Sequence, residues 1–302
     1  MPLSPLTRWF ALLLTLALPG RAAEQSYILF LTADGFRTDY IEWYEPPHLK
    51  QLIAEGVRVT DARNVFPTLT TPNMTSLLTG AWPRTTGIAV NTQYLKETDK
   101  IEKSPRGNTA ETIAETLKKA GWKTGGVNHF MLQNRGADFY STVGYDNAEK
   151  TTDAIIDLLK NKQVRFVGVI YGATDKAGHQ HGPRSEQVKA AVLDIDRAIG
   201  RLVASLKEQG IYEETLITFN SDHGMSPFDK KQASISPTRA LTEAGFKVAS
   251  NETELNADTQ IIVIDAGGRA VYFRQITDGE KAKAIRILAA IAGVEKIGRA
   301  HV

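Results

Sequence analysis

The chain has 302 residues, with 36 lysines and arginines set against 34 aspartates and glutamates for a formal net charge of +2 at pH 7. Charges so nearly balanced exclude a nucleic-acid-binding surface that relies on dense basic charge. Cysteine is absent, so disulfides, thiolate-held zinc and thiol nucleophiles are excluded, and stability has to come from packing or from metals.

Arg8, the apolar run from Trp9 to Leu18 and the small-residue stretch Gly20-Arg21-Ala22 read as an export signal over residues 1–22, with the mature chain starting near Ala23. The run is short for a bilayer, and no later segment approaches a membrane-spanning length. The expectation is a periplasmic or secreted protein with no stable membrane span once the signal is cleaved. The roughly 280 residues that follow suit one large core, or a core with an inserted subdomain.

Tyr27 to Leu31 is a short apolar run ending in Thr32-Ala33-Asp34-Gly35, which suits a buried strand delivering Asp34 at its carboxyl end. Pro47 starts a helix that stops at Gly56, and Thr71 to Leu78, with Pro72 in its first turn, forms a helix closed by Gly80. A helix is predicted from Thr109 to Ala120, with a strand from Trp122 to Val127 after it. The unit then repeats, with a helix from Thr151 to Leu159, a buried strand from Phe166 to Tyr171, and Asp175 and His179 in the loop beyond.

Val188, Val192, Ile195, Ile199, Leu202 and Leu206 mark one face of a long amphipathic helix ending at Gly210. Leu216 to Phe219 is again a strand, delivering Asp222 and His223. Strands alternating with helices imply an α/β fold with a mainly parallel sheet, whose ligands bind beyond the strand carboxyl ends. A catalytic core over residues 23–225 is expected.

Beyond Met225 the texture is polar and rich in turns. Strands follow at Gln260 to Ile264 and Ala270 to Phe273 around Gly267-Gly268, then a helix from Lys281 to Ile291. Residues 226–296 are read as a partial inserted cap and the start of further core. The segment Ile297-Gly298-Arg299-Ala300-His301-Val302 translates ATCGGAAGAGCACACGTC, a sequencing-adapter sequence, and Lys296 fits the AAG codon before it. Residues 297–302 are therefore expected to be an artefact, with the native chain interrupted near Glu295.

Asp34, Thr70, Asn91, Asp175, His179, Asp222 and His223 together supply what a two-metal phosphoryl-transfer site requires. Such a site holds the phosphorus in line and neutralises charge on the attacking, leaving and equatorial oxygens, using two divalent cations about 4 Å apart. A mixed Asp/His set without Cys fits zinc with an open position, although manganese and iron suit the same groups. Asp34, Asp222 and His223 would make one site, and Asp175 and His179 would begin the other. Thr70 is the candidate nucleophile, because coordination to a cation stabilises an alkoxide that is otherwise scarce at neutral pH. The Pro72 helix would aim free N–H groups at a phosphate oxygen, and Asn91 could donate its amide hydrogens to the same oxygen.

The order Ala33-Asp34-Gly35, Phe66-Pro67-Thr68-Leu69-Thr70-Thr71-Pro72-Asn73, Leu78-Thr79-Gly80-Ala81-Trp82-Pro83 and Gly87-Ile88 followed by Asn91 resembles the nucleotide pyrophosphatase/phosphodiesterase family of the alkaline phosphatase superfamily. Asp175-x-x-Gly178-His179-x-x-Gly182-Pro183 and Ser221-Asp222-His223-Gly224-Met225 continue the match. The resemblance implies an alkaline-phosphatase-like core. One zinc would be held by Asp34, Thr70, Asp222 and His223 and a second by Asp175 and His179, with Asn91 on the phosphoryl oxygen. It implies a small-molecule phosphodiester substrate cleaved through a phospho-Thr70 intermediate; phosphonoacetate-type and monoester substrates are the alternatives. Oligomeric state is left open.

Two departures stand out. The family completes its second zinc site with a distant downstream histidine, and none lies between His223 and His301; a chain interrupted there is expected to be weakly active or inactive. The family's Trp-Pro-Gly element after the second strand is replaced by Asn128-His129-Phe130-Met131-Leu132, which leaves base recognition open. The rival readings are a sulfatase or mutase, against which Thr70 and the lack of cysteine argue, and a non-catalytic protein that binds a phosphorylated ligand. Residue by residue, Thr71 is expected to cap its helix through the hydroxyl, His181 to be solvated, and His48 and His129 to be structural or exposed.

Overall fold

The computed structural model describes residues 27–103, 107–227, 236–266, 268–294 and 297–298. The expected export signal, and all but two residues of the adapter-like segment, lie outside the described residues. The first half runs β1 (Tyr27–Ala33), α1 (Tyr40–Tyr44), α2 (Pro47–Glu55), α3 (Thr70–Thr79), α4 (Pro83–Thr86), the pair β2 (Thr92–Leu95) and β3 (Lys100–Lys103), α5 (Ile113–Lys119), β4 (Thr124–Val127) and β5 (Phe139–Ser141). The second half runs α6 (Ala148–Lys162), β6 (Phe166–Tyr171), α7 (Ala173–His181), α8 (Glu186–Glu208), β7 (Thr215–Asn220), α9 (Pro237–Glu243), β8 (Val248–Ala249), β9 (Ile261–Ala266), β10 (Gly268–Phe273) and α10 (Asp278–Ala289).

The main sheet has five parallel strands in the order β5-β4-β6-β1-β7. Both faces are covered, as a parallel sheet requires. Leu29, Leu31 and Ala33 of β1 and Val167, Val169 and Tyr171 of β6 pack on α6 and α8. Phe166 and Ile170 face the opposite way, against Met74 and Leu78 of α3 and Ala114 of α5. The predicted stripe of α8 is buried along its whole length. Its polar side is wet, with Arg197 paired to Asp194 and Arg201 to Asp153.

A second, three-stranded sheet, β10-β9-β8, follows β7. One of its faces packs on Leu241 of α9 and Ala284 and Leu288 of α10. Its other face, through Ile262 and Ile264, packs on Tyr94 and Ile101 of the β2–β3 hairpin. Among the described residues no helix is long and apolar enough to cross a membrane.

Where boundaries differ from the sequence reading, caps explain the difference. The helix expected from Thr109 starts at Ile113, because Thr112 and Glu115 form a reciprocal capping box. The helix expected from Thr151 starts at Ala148, because the Asn147 side chain accepts from the Lys150 N–H. Asp175 and His179 lie on α7, one turn apart, rather than in a loop.

Candidate active site

Three neighbouring strands, β6, β1 and β7, end on the same edge of the sheet and set the site there. The Asp34 N–H donates to the Tyr171 carbonyl at 2.9 Å, which ties the end of β1 to that of β6. Gly35 follows with φ of 67°, and a Cβ there would sit 3.0 Å from the Asp175 Cα. Only a residue without a side chain takes that backbone conformation and that approach at low cost.

Asp222 is fully buried beyond β7. Its Oδ1 accepts from the N–H groups of Gly35 at 3.2 Å and His223 at 3.0 Å. Asn64 donates to the Asp222 carbonyl at 2.6 Å, and Ser221 accepts from the Phe36 N–H while donating to the His223 carbonyl.

His223 Nε2 is the focus of the cluster. It lies 3.1 Å from Thr70 Oγ1, 3.4 Å from Asp34 Oδ1, 3.5 Å from Asp222 Oδ2 and 4.0 Å from Asp175 Oδ1. Its other ring nitrogen, Nδ1, is 2.7 Å from the Gly224 carbonyl. A carbonyl can only accept, so Nδ1 is the donor in that bond and Nε2 faces the three carboxylates. Asp34 Oδ1, Asp175 Oδ1 and Asp222 Oδ2 are buried oxygens without a hydrogen-bond partner.

A ring nitrogen and carboxylate oxygens converging on one point suit a cation. Ligand atoms of Asp34, Asp175 and His223 fall within 4.8 Å of one another, and histidine ligands to metals commonly donate their second N–H to a backbone carbonyl. The residues therefore fit a divalent metal. Without one, burial and the negative neighbours Asp222 and Asp175 hold the Asp34 pKa well above the usual carboxylate range. Burial likewise pushes Asp222 up to about 6.

α7 supplies the far side. Thr174, fully buried, donates to the Asp34 carbonyl at 2.5 Å. His179 Nε2 is 3.2 Å from Asp175 Oδ1, with its side chain 72% exposed at the outer rim. Gly178 leaves room for the Met225 thioether, which a Cβ would strike.

Thr70 is the first residue of α3, and neither Leu69 before it nor Thr71 within it caps that N-terminus through its own side chain. The expected hydroxyl cap from Thr71 is thus absent. The Thr71 N–H instead donates to Asn91 Oδ1 at 2.8 Å. That bond brings Asn91 to the first turn and turns its NH2 end away from Thr71. Pro72 has no N–H and the Asn73 N–H is taken by the Leu69 carbonyl, so the free first-turn donors expected around Pro72 reduce to the Thr70 N–H. Asn73 also stitches the preceding loop, accepting from the Val65 N–H and donating to the Leu69 carbonyl.

His48 packs on Gly200 of α8, and His181 is exposed at the end of α7. Three contributors were missed from sequence: Asn64, Thr174 and Tyr145. The Tyr145 hydroxyl donates to Asp34 Oδ2. None of the three stands in a motif of its own; only strong pairing of buried strand ends would have pointed to them.

The profile of the family described as type I phosphodiesterase / nucleotide pyrophosphatase matches residues 28–296. The chain belongs to this family. Bis(5'-adenosyl)-triphosphatase ENPP4 of Bos taurus is 32% identical over 231 residues, covering 69% of this chain and 49% of that relative. The Homo sapiens ENPP4 is 34% identical over 217 residues, covering 66% and 47%. Murine ENPP5, solved as an inactive threonine-to-alanine variant in complex with AMP, shares the fold with a TM-score of 0.68 at 22% identity, over 87% of this chain and 70% of that one. The chain spans about half the length of the curated ENPP4 relatives it matches.

Proposed function

We propose that this family member is an exported, metal-dependent hydrolase that cleaves a phosphodiester bond in a nucleotide-like small molecule, with Thr70 as the nucleophile. The observation that carries the reading is the convergence of Thr70 Oγ1 and three unpartnered carboxylate oxygens on His223 Nε2. The AMP bound to the ENPP5 variant and the triphosphatase names of the ENPP4 relatives support a nucleotide-like substrate.

Asp34, Thr70, Asp222 and His223 would hold one divalent cation and Asp175 and His179 a second, with zinc the choice by ligand type. When bound, the cations would favour the alkoxide of Thr70 and neutralise charge on the phosphoryl oxygens. The protein's own part is positional. The Thr70 N–H and the Asn91 NH2 group bind a non-bridging phosphoryl oxygen, while Thr70 Oγ attacks phosphorus and the ester oxygen leaves. Water then cleaves the phosphothreonine and restores the hydroxyl. Residues 23–225 are assigned to this core and residues 226–296 to a partial cap and the start of further core.

The test recovers the native 3′ end of the coding sequence and assays the zinc-loaded protein expressed from it on bis-p-nitrophenyl phosphate, p-nitrophenyl phosphate and phosphonoacetate. Turnover of the diester is expected to dominate, and Thr70→Ala to lower it by about a thousandfold or more while fold and zinc binding survive. Unchanged turnover in that variant would remove Thr70 from the mechanism. A second reading, a binding protein for phosphorylated ligands, is favoured by the exposure of His179; AMP binding without turnover in wild type would select it.

A further inference from the structure

We propose that Tyr145 is a positioning residue that fixes which oxygen of Asp34 faces the metal site. This rests on the reading of Asp34 as a metal ligand. Tyr145 lies in the turn between β5 and α6, outside every motif that marks the site. Its hydroxyl donates to Asp34 Oδ2, and Oδ1, the oxygen left without a partner, is the one 3.4 Å from His223 Nε2. The carboxylate torsion of an aspartate is soft and nearly two-fold. A donor on one oxygen therefore decides which lone pairs point inward.

The tyrosine reaches Asp34 because the residue that follows β6 is a glycine, Gly172. A Cβ on Gly172 would collide with the Tyr145 ring, and the Gly172 N–H donates to the Tyr145 carbonyl at 2.7 Å. One residue thus admits the ring and holds its backbone. The phenol suits the task chemically, since it donates a hydrogen bond without adding charge to a site already crowded with carboxylates. Partners behind a metal ligand typically set metal affinity by 10- to 100-fold.

The experiment measures zinc affinity of the full chain by competition with a chromophoric chelator, alongside melting of the metal-free protein. Tyr145→Phe keeps the ring and removes the donor. It is expected to weaken the tighter zinc site by about 10- to 100-fold with little change in metal-free melting. Gly172→Ala keeps the hydroxyl but displaces the ring, and it should cause a similar loss; it also carries the test if Tyr145→Phe does not accumulate. The double variant should lose no more than the larger single loss, since both act through one hydrogen bond. Zinc affinity that is unchanged or raised in both variants, or losses that add in full, would overturn the role. Failure of the wild-type protein to bind zinc would instead refute the metal reading of Asp34, and the inference with it.

Discussion

A buried imidazole outside the site shows how a single residue ties stability to pH. His129 is fully buried, and neither ring nitrogen has a hydrogen-bond partner. Burial drives its pKa down to about 3. In the unfolded chain it titrates near its ordinary value of about 6.5. Above that pH both states are neutral and nothing is lost. Below it the unfolded chain binds a proton that the folded protein refuses until about pH 3, so stability drains away on acidification at up to about 1.4 kcal/mol per pH unit. His129→Leu removes the proton site and breaks no hydrogen bond. Urea unfolding should show wild type losing roughly 1.5 kcal/mol more than the variant between pH 6.5 and 5; parallel losses would place the titration elsewhere.

At the scale of elements, α7 and the segment after β7 meet through Gly178 and Met225. Gly178→Ala places a methyl where the thioether lies and should push Asp175 and His179 away from His223. Turnover and zinc affinity are expected to fall together, by about tenfold or more, and Met225→Ala added to Gly178→Ala should recover most of the loss. A double variant as poor as the single one would mean that this contact does not set the distance. The same region marks how far the sequence was legible. Asp34 and the Asp222-His223 pair follow apolar strands directly, so their places at the sheet edge could be read without coordinates. α7 could not be read as a helix, because Asp175-Lys176-Ala177-Gly178-His179 has no apolar stripe and its helical form depends on packing against Met225 and Asp34. The β2–β3 hairpin was hidden for a similar reason: Ile101 and Tyr94 find their apolar partners in β9 and β10, far along the chain. Tyr145 could be recognised only once Gly172 was known to lie beside it.

At the scale of the whole molecule, the proposed ligands, drawn from the ends of two strands and from two helices, exist as a set only in the folded chain. Zinc should therefore stabilise the fold as its concentration exceeds the dissociation constant, by about 2.7 kcal/mol at a hundredfold excess, and raise the melting temperature accordingly. The gain should be pH-dependent. Burial holds Asp34 and Asp222 above the usual carboxylate range, with Asp222 at about 6, so metal uptake has to expel protons below that pH. Melting with and without zinc is expected to differ more at pH 7.5 than at pH 5.5, and an equal shift at both would mean that the carboxylates bind metal without releasing protons.

The strand order also fixes when these groups can meet. β1 is the first strand of the sheet to be synthesised, yet its two neighbours are β6, where Ile28 sits beside Phe166, and β7, where Tyr27 sits beside Thr215. Most of the chain must leave the ribosome before β1 gains either neighbour, and such long loop closures slow folding. A polypeptide that cannot pair this interior strand early remains without its main sheet until β6 has been made.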